Sequence, residues 1–147
     1  MNILRRLYEF NVPKPQLIQI YILFIRSVTE QSSVVWSSSI TEEEDKALER
    51  TQKVALRIIY RQEYNSYTHA LELSKLQTLA ERRQVLLHRF AFKTLKNPKT
   101  TNMIRKNKQT KTLRYTEKFT VDKARTTRLA NSSLNAIAHL LNKKTSG

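Results

Sequence analysis

The sequence predicts an all-α fold, a small helical bundle of about four to five helices with a basic, poorly ordered C-terminal tail. Three observations predict it. Apolar residues recur at helical spacing through most of the first 97 positions. Two capping boxes mark helix starts, Thr41 with Glu44 and Thr78 with Glu81. Glycine occurs once, at Gly147, which disfavours tight hairpins and rules out a glycine-rich phosphate loop. Strong helix formers fill the chain instead. At 147 residues it is one domain, or a small domain with a tail.

The elements follow in order. Residues 1–10 place Ile3, Leu4, Leu7 and Phe10 at helical spacing. Pro13 and Pro15 end that helix, because a residue before proline avoids the α region, and Pro15 then suits the first turn of the next one. That helix, 15–36, carries Leu17, Ile20, Tyr21, Phe24 and Val28 on one face and Ile18, Ile22 and Ile25 on another. Being apolar nearly all round, it is expected to be central and buried, with Trp36 at its end in the core rather than stacked on a base.

Helix 42–61 opens on an acidic run that suits the positive end of a helix dipole. Ala47, Leu48, Thr51, Val54, Ala55, Ile58 and Ile59 line its apolar side. Ser66 opens a short helix with Ala70, Leu71 and Leu73, and helix 78–96 bears Leu79, Leu86, Leu87, Phe90, Ala91 and Leu95 before Asn97 and Pro98 stop it. Residues 1–97 are therefore read as the bundle. Residues 98–129 lack apolar periodicity and read as a disordered basic linker. Residues 130–147 read as a short helix at about 134–141 with a tail.

Lysine and arginine outnumber aspartate and glutamate 27 to 12, a net charge of +15. Residues 97–147 hold twelve basic and two acidic residues, so +10 of that charge lies there. The balance favours a polyanionic partner. A membrane surface is the weakest candidate, because the broad apolar face of helix 42–61 is better explained by a bundle core. The longest apolar run, 17–25, contains Gln19 and falls far short of the ~20 residues of a spanning helix. With no cysteine and no HExxH there is no recognisable zinc motif. His69, His88 and His139 lie far apart, outside any nucleophile motif. No acidic pair is placed to hold two catalytic metals. The expectation is a non-enzyme without metal or cofactor.

Two basic stripes are the stronger signal. At 100° per residue, Lys46, Arg50, Lys53, Arg57 and Arg61 fall within an arc of about 80°. Acids four residues earlier, Glu42 and Glu49, offer ion pairs to Lys46 and Lys53. Arg57 and Arg61 have only cations at that spacing, so phosphate contact and plain solvation both stay open for them. On helix 78–96, Arg82, Arg89, Lys93 and Lys96 share a face, with the same two readings. Tail residues Lys106, Lys108, Lys111, Arg114, Arg125 and Arg128 are expected to meet phosphates unspecifically. Tyr60, Tyr64, Tyr67 and Tyr115 lie near basic residues, without the strands of an RNA-recognition sheet. Arg83 falls inside the apolar arc, so it is expected to be buried in an ion pair with Glu72 or Glu49.

Four segments in order carry a resemblance: IYILFIRSV with SVVW, LERTQKVALRII, HALELSKLQTLAERR, and LANSSLNAIAHLLN. Together they resemble the region after the polymerase core in non-LTR retrotransposon reverse transcriptases, especially jockey-like LINE elements. No single motif is diagnostic; order and spacing carry the likeness. Thr29 and Gln31 depart from it, standing where the family has an apolar residue and a tyrosine. The resemblance implies a fragment without the catalytic aspartates, a thumb or post-thumb helical region that grips template–primer and meets the polymerase palm. The alternative is a non-catalytic protein–protein interaction module. The choice of DNA, RNA or RNA–DNA hybrid, the oligomeric state, and nucleus or cytoplasm stay open.

Overall fold

The computed structural model describes residues 1–107 and 118–145. The chain is all-α, and it divides into two compact units. The first comprises Met1–Gln31 and Thr41–Arg82. It contains α1 (Asn2–Glu9), α2 (Lys14–Ile20), a π-helical turn (Tyr21–Arg26), α3 (Ser27–Glu30), α5 (Glu42–Tyr60) and α6 (Tyr67–Ser74). The second comprises Ser32–Ile40 and Arg83–Gly147, with α4 (Ser33–Trp36), α8 (Thr127–Ala130) and α9 (Ser133–Thr145). Helix α7 (Leu79–Lys96) gives residues 79–82 to the first unit and 83–96 to the second.

Helix α5 is the spine of the first unit. Its capping box forms as the sequence requires: Glu44 N donates to Thr41 Oγ1 at 3.2 Å, and Thr41 N to Glu44 Oε2 at 2.8 Å. Ala55, Leu56, Ile58 and Ile59 then turn inward, and α1, α2, the π-helical turn and α6 supply Leu4, Leu17, Tyr21, and Ala70 with Leu71 to the same core. Ser66 caps α6 by accepting from His69 N at 3.2 Å. Thr78 and Glu81 cap α7 reciprocally, both bonds at 3.2 Å.

The expected helix 15–36 is interrupted. After the π-helical turn and α3 the backbone leaves the helix at Gln31, and Ser32 takes φ 53°. Residues 29–33, Thr-Glu-Gln-Ser-Ser, offer no apolar side chain to hold a continuing helix on a core, and short polar side chains compete for its backbone: Thr29 Oγ1 donates to Arg26 O at 2.8 Å. Nor is the segment central. Leu17 and Tyr21 are buried, but Leu23, Phe24 and Val28 are 65, 65 and 68% exposed. The π turn adds a residue per turn, which carries Phe24 and Val28 off the face that Leu17 and Tyr21 share. Trp36 is half-buried rather than enclosed.

Within the expected linker 98–129, the described residues 98–107 and 118–129 are packed rather than disordered. The core of the second unit joins Ala91 of α7 and Ile137, Ala138 and Leu141 of α9 to Ile104 and Phe119 from that basic segment. Two extended stretches pair there: Asn107 N donates to Lys118 O and Thr120 N to Arg105 O, both at 2.9 Å. Single apolar residues and side-chain amides, rather than a period, fix this segment. Residues 108–117 lie outside the described part. The expected helix at 134–141 is present and longer, as α9.

Candidate nucleic-acid interface

On the exposed side of α5 the basic row meets aromatic rings. Lys53 Nζ lies 5.1 Å from the centre of the Tyr67 ring, Arg57 Cζ 5.4 Å from that of Tyr64, and Arg61 Cζ 4.2 Å from that of Tyr8. The rings come from α6, from the loop after α5, and from α1. All three are half-buried and pack against the unit's core. The three cations remain exposed. Ring quadrupoles attract them, while an arginine above a ring keeps in-plane N–H donors available to an acceptor. Arg61 departs from the helical path with φ 36° and ψ −99° at the end of α5.

Glu49, expected as a partner for Lys53 or Arg83, has another role. It accepts from the Tyr67 hydroxyl and from the backbone N–H of Leu79, at 3.1 Å to Oε2 and 3.3 Å to Oε1. The negative carboxylate thus sits at the positive N-terminus of α7. Gln52, fully buried, extends the network: Tyr21 Oη donates to its Oε1 at 2.7 Å, and its Nε2 donates to Tyr67 Oη at 3.0 Å and Gln77 O at 2.9 Å. Burial, followed by the hydrogen bond to Glu49, raises the Tyr67 phenol above its ordinary range. Burial does the same to Tyr21. Lys46 pairs with Glu42 at 2.6 Å as its spacing predicts.

The stripe on α7 does not stay whole. Arg82 Nε lies 3.1 Å from Glu30 Oε1, a carboxylate that also meets Arg26 Nε at 3.4 Å. Arg82 is thus drawn into a partly buried ion-pair network rather than left for phosphate. Glu30 lies 52 positions away from it, so no local spacing announces the pair. Arg89, Lys93 and Lys96 are exposed on the second unit. Arg83 is buried, at 5% exposure, with its guanidinium 5.9 Å from the Trp36 ring centre. Glu72, its other expected partner, sits on the exposed face of α6.

Lys106, Arg125 and Arg128 are exposed, joined by Arg105, Lys118 and Lys123, which sequence reasoning did not single out. Lys108, Lys111 and Arg114 lie outside the described residues. Of the three tyrosines, Tyr64 and Tyr67 were legible only as neighbours of basic residues, and Tyr8 was not singled out at all. Their seating under particular cations depends on how α1 and α6 approach α5. Among the described residues no group of histidine and acidic side chains could hold a metal ion, and no helix is long and apolar enough to cross a membrane. No family model, curated protein or solved structure matches this chain.

Proposed function

We propose that this chain is a non-catalytic, nucleic-acid-binding helical module that grips the phosphate backbone. In line with its sequence resemblance, we read it as the thumb-like part of a retrotransposon reverse transcriptase, acting on template–primer. The observation that carries the reading is the row Lys53, Arg57 and Arg61, each over a tyrosine ring. Seating restrains long cationic side chains before a ligand arrives, so less rotamer entropy is lost on binding. The step of four residues from Lys53 to Arg57 advances about 6 Å along the helix, and Arg61 follows four residues later at its C-cap, a row that a strand backbone can follow. Each ring packs on the core and carries a cation over its face, so the site has no ring left for a base. Recognition is therefore electrostatic and sequence-tolerant.

The test is fluorescence anisotropy with labelled duplex DNA and RNA–DNA hybrid. If six to eight phosphates are neutralised, affinity falls roughly 10³-fold or more between 50 and 200 mM salt. Arg57→Glu with Arg61→Glu weakens binding and flattens the salt dependence while the helical circular dichroism stays unchanged. Binding indifferent to salt, or to this double variant in a folded protein, defeats the reading.

One observation favours the second reading, a protein-interaction module: Leu23, Phe24 and Val28 are exposed together after Tyr21. In an intact polymerase such a face would meet the palm. It predicts self-association that Phe24→Ser with Val28→Ser abolishes in sedimentation velocity, without loss of nucleic-acid affinity.

A further inference from the structure

Two buried asparagines of α9 hold an extended stretch of chain by its backbone. Asn142 Oδ1 accepts from Phe119 N at 3.0 Å, and its Nδ2 donates to Phe119 O at 3.0 Å. Asn135 Oδ1 accepts from Asp122 N at 3.0 Å, while its Nδ2 donates to Asp122 O at 3.2 Å and to Leu129 O at 3.2 Å. The spacings agree. Seven residues of helix rise about 10.5 Å, and three steps of extended chain cover about 10 Å. The stretch therefore runs antiparallel to α9 with an amide at each end.

We propose that this face of α9 is a receptor for extended peptides, occupied here in cis by residues 119–122, and that it takes a peptide of the same kind in trans. Its ligand class follows from what is read. A primary amide offers one donor and one acceptor side by side, the complement of a residue's own N–H and C=O. Two such clamps read backbone and ignore side chains. The side chains of Thr120 and Asp122 are exposed and Val121 is half-buried. Phe119 alone is a deep anchor, 3% exposed among Ala91, Ile104, Ile137, Ala138 and Leu141. Lys118 and Thr120 bond with their other edge to residues 105–107, so the bound stretch behaves as a strand whose outer edge is closed by side chains instead of another strand. The fitting ligand is an extended segment with one aromatic or long aliphatic anchor and few further demands.

The cis segment competes at an effective concentration on the order of millimolar, so the wild-type chain binds weakly in trans. The probe is a labelled peptide Lys-Phe-Thr-Val-Asp-Lys, the sequence of residues 118–123, titrated into the full chain. Phe119→Ala removes the cis anchor and is expected to tighten peptide binding about tenfold or more. Adding Asn142→Asp, which keeps the shape but loses the donor, is expected to abolish that gain. A peptide with alanine for phenylalanine should not bind. Equal affinity of the single and double variants, with α9 still protected from amide exchange, overturns the proposal. Should Phe119→Ala lose α9, the wild type decides. Millimolar peptide must then speed amide exchange at Phe119 and Asp122, and exchange unmoved by peptide overturns the proposal equally.

Discussion

At the scale of single residues, this chain fills left-handed backbone positions without glycine. Asn11, Ser32 and Lys75 take φ values of 56, 53 and 54°. Asparagine tolerates that region, but lysine pays a steric penalty there. Lys75 closes α6, where Leu76 N donates to Leu71 O at 3.0 Å across the turn. Lys75→Gly is therefore expected to stabilise the protein by about 1 kcal/mol, read as a higher urea midpoint. Arg83 and Arg82 are neighbours with unequal roles. Alanine at the buried Arg83 removes a guanidinium and its stem from an enclosed site, and should cost about 3 kcal/mol. Alanine at Arg82 loses a partly exposed pair with Glu30 and should cost no more than about 1 kcal/mol. Equal melting temperatures for the two variants would show that Arg83 does not serve the core.

Tyr67 adds a pH dependence whose sign is fixed. Its phenol is raised in the folded protein, so above about pH 10 the unfolded chain loses a proton that the folded chain retains. The unfolded state then binds fewer protons, and stability, fully present below that pH, falls as pH rises. Urea midpoints between about pH 9 and 11 should fall less steeply in Tyr67→Phe than in the wild type. An identical slope would remove Tyr67 from the account of alkaline unfolding.

At the scale of elements, helix ends differ in how far they depend on distant residues. The start of α5 is local: Thr41 and Glu44 satisfy one another, and Thr41→Ala should cost about 1 kcal/mol. The start of α7 has its own box and, in addition, the carboxylate of Glu49, which Tyr67 also engages. Glu49→Ala leaves the buried Gln52 and Tyr67 network incomplete as well as removing a charge from a helix terminus. It should cost about 2–3 kcal/mol. Chemical denaturation of both variants gives the comparison; an equal cost would mean that the Glu49 network adds nothing beyond a cap. The break at Gln31 and Ser32 is of the opposite kind, falling in the stretch 29–33 that offers no apolar side chain to hold a helix on a core.

For the whole molecule, charge acts in two directions. A net +15 repels itself in the compact state. Raising salt from 50 to 200 mM should therefore raise the melting temperature of the free protein while it lowers affinity for nucleic acid. Scanning calorimetry beside anisotropy at both salts checks the pair. A melting temperature that falls with salt would mean that attractive ion pairs such as Glu30 with Arg26 and Arg82 outweigh the repulsion.

Much of the helical content was legible in the sequence. The Thr41 and Thr78 boxes, the Ser66 cap, the burial of Ala55, Ile58 and Ile59 on α5 and the burial of Arg83 follow from local chemistry and a 3.6-residue period, and these need no partner to be read. Basic residues on one face of α5 were legible for the same reason. The buried Gln52 and Leu56 and the exposed Ala47 shift the inner face of α5 from the one expected. What only the tertiary structure decided involves residues far apart in sequence. Glu30 reaches Arg82, Glu49 reaches Leu79, and Tyr8 comes under Arg61. Phe119 and Asp122 are held by Asn142 and Asn135, although their own segment has no apolar rhythm. A helical period reports which side of one element is apolar. It carries no information on which ring, carboxylate or amide another element will bring to it, because that depends on how the elements pack.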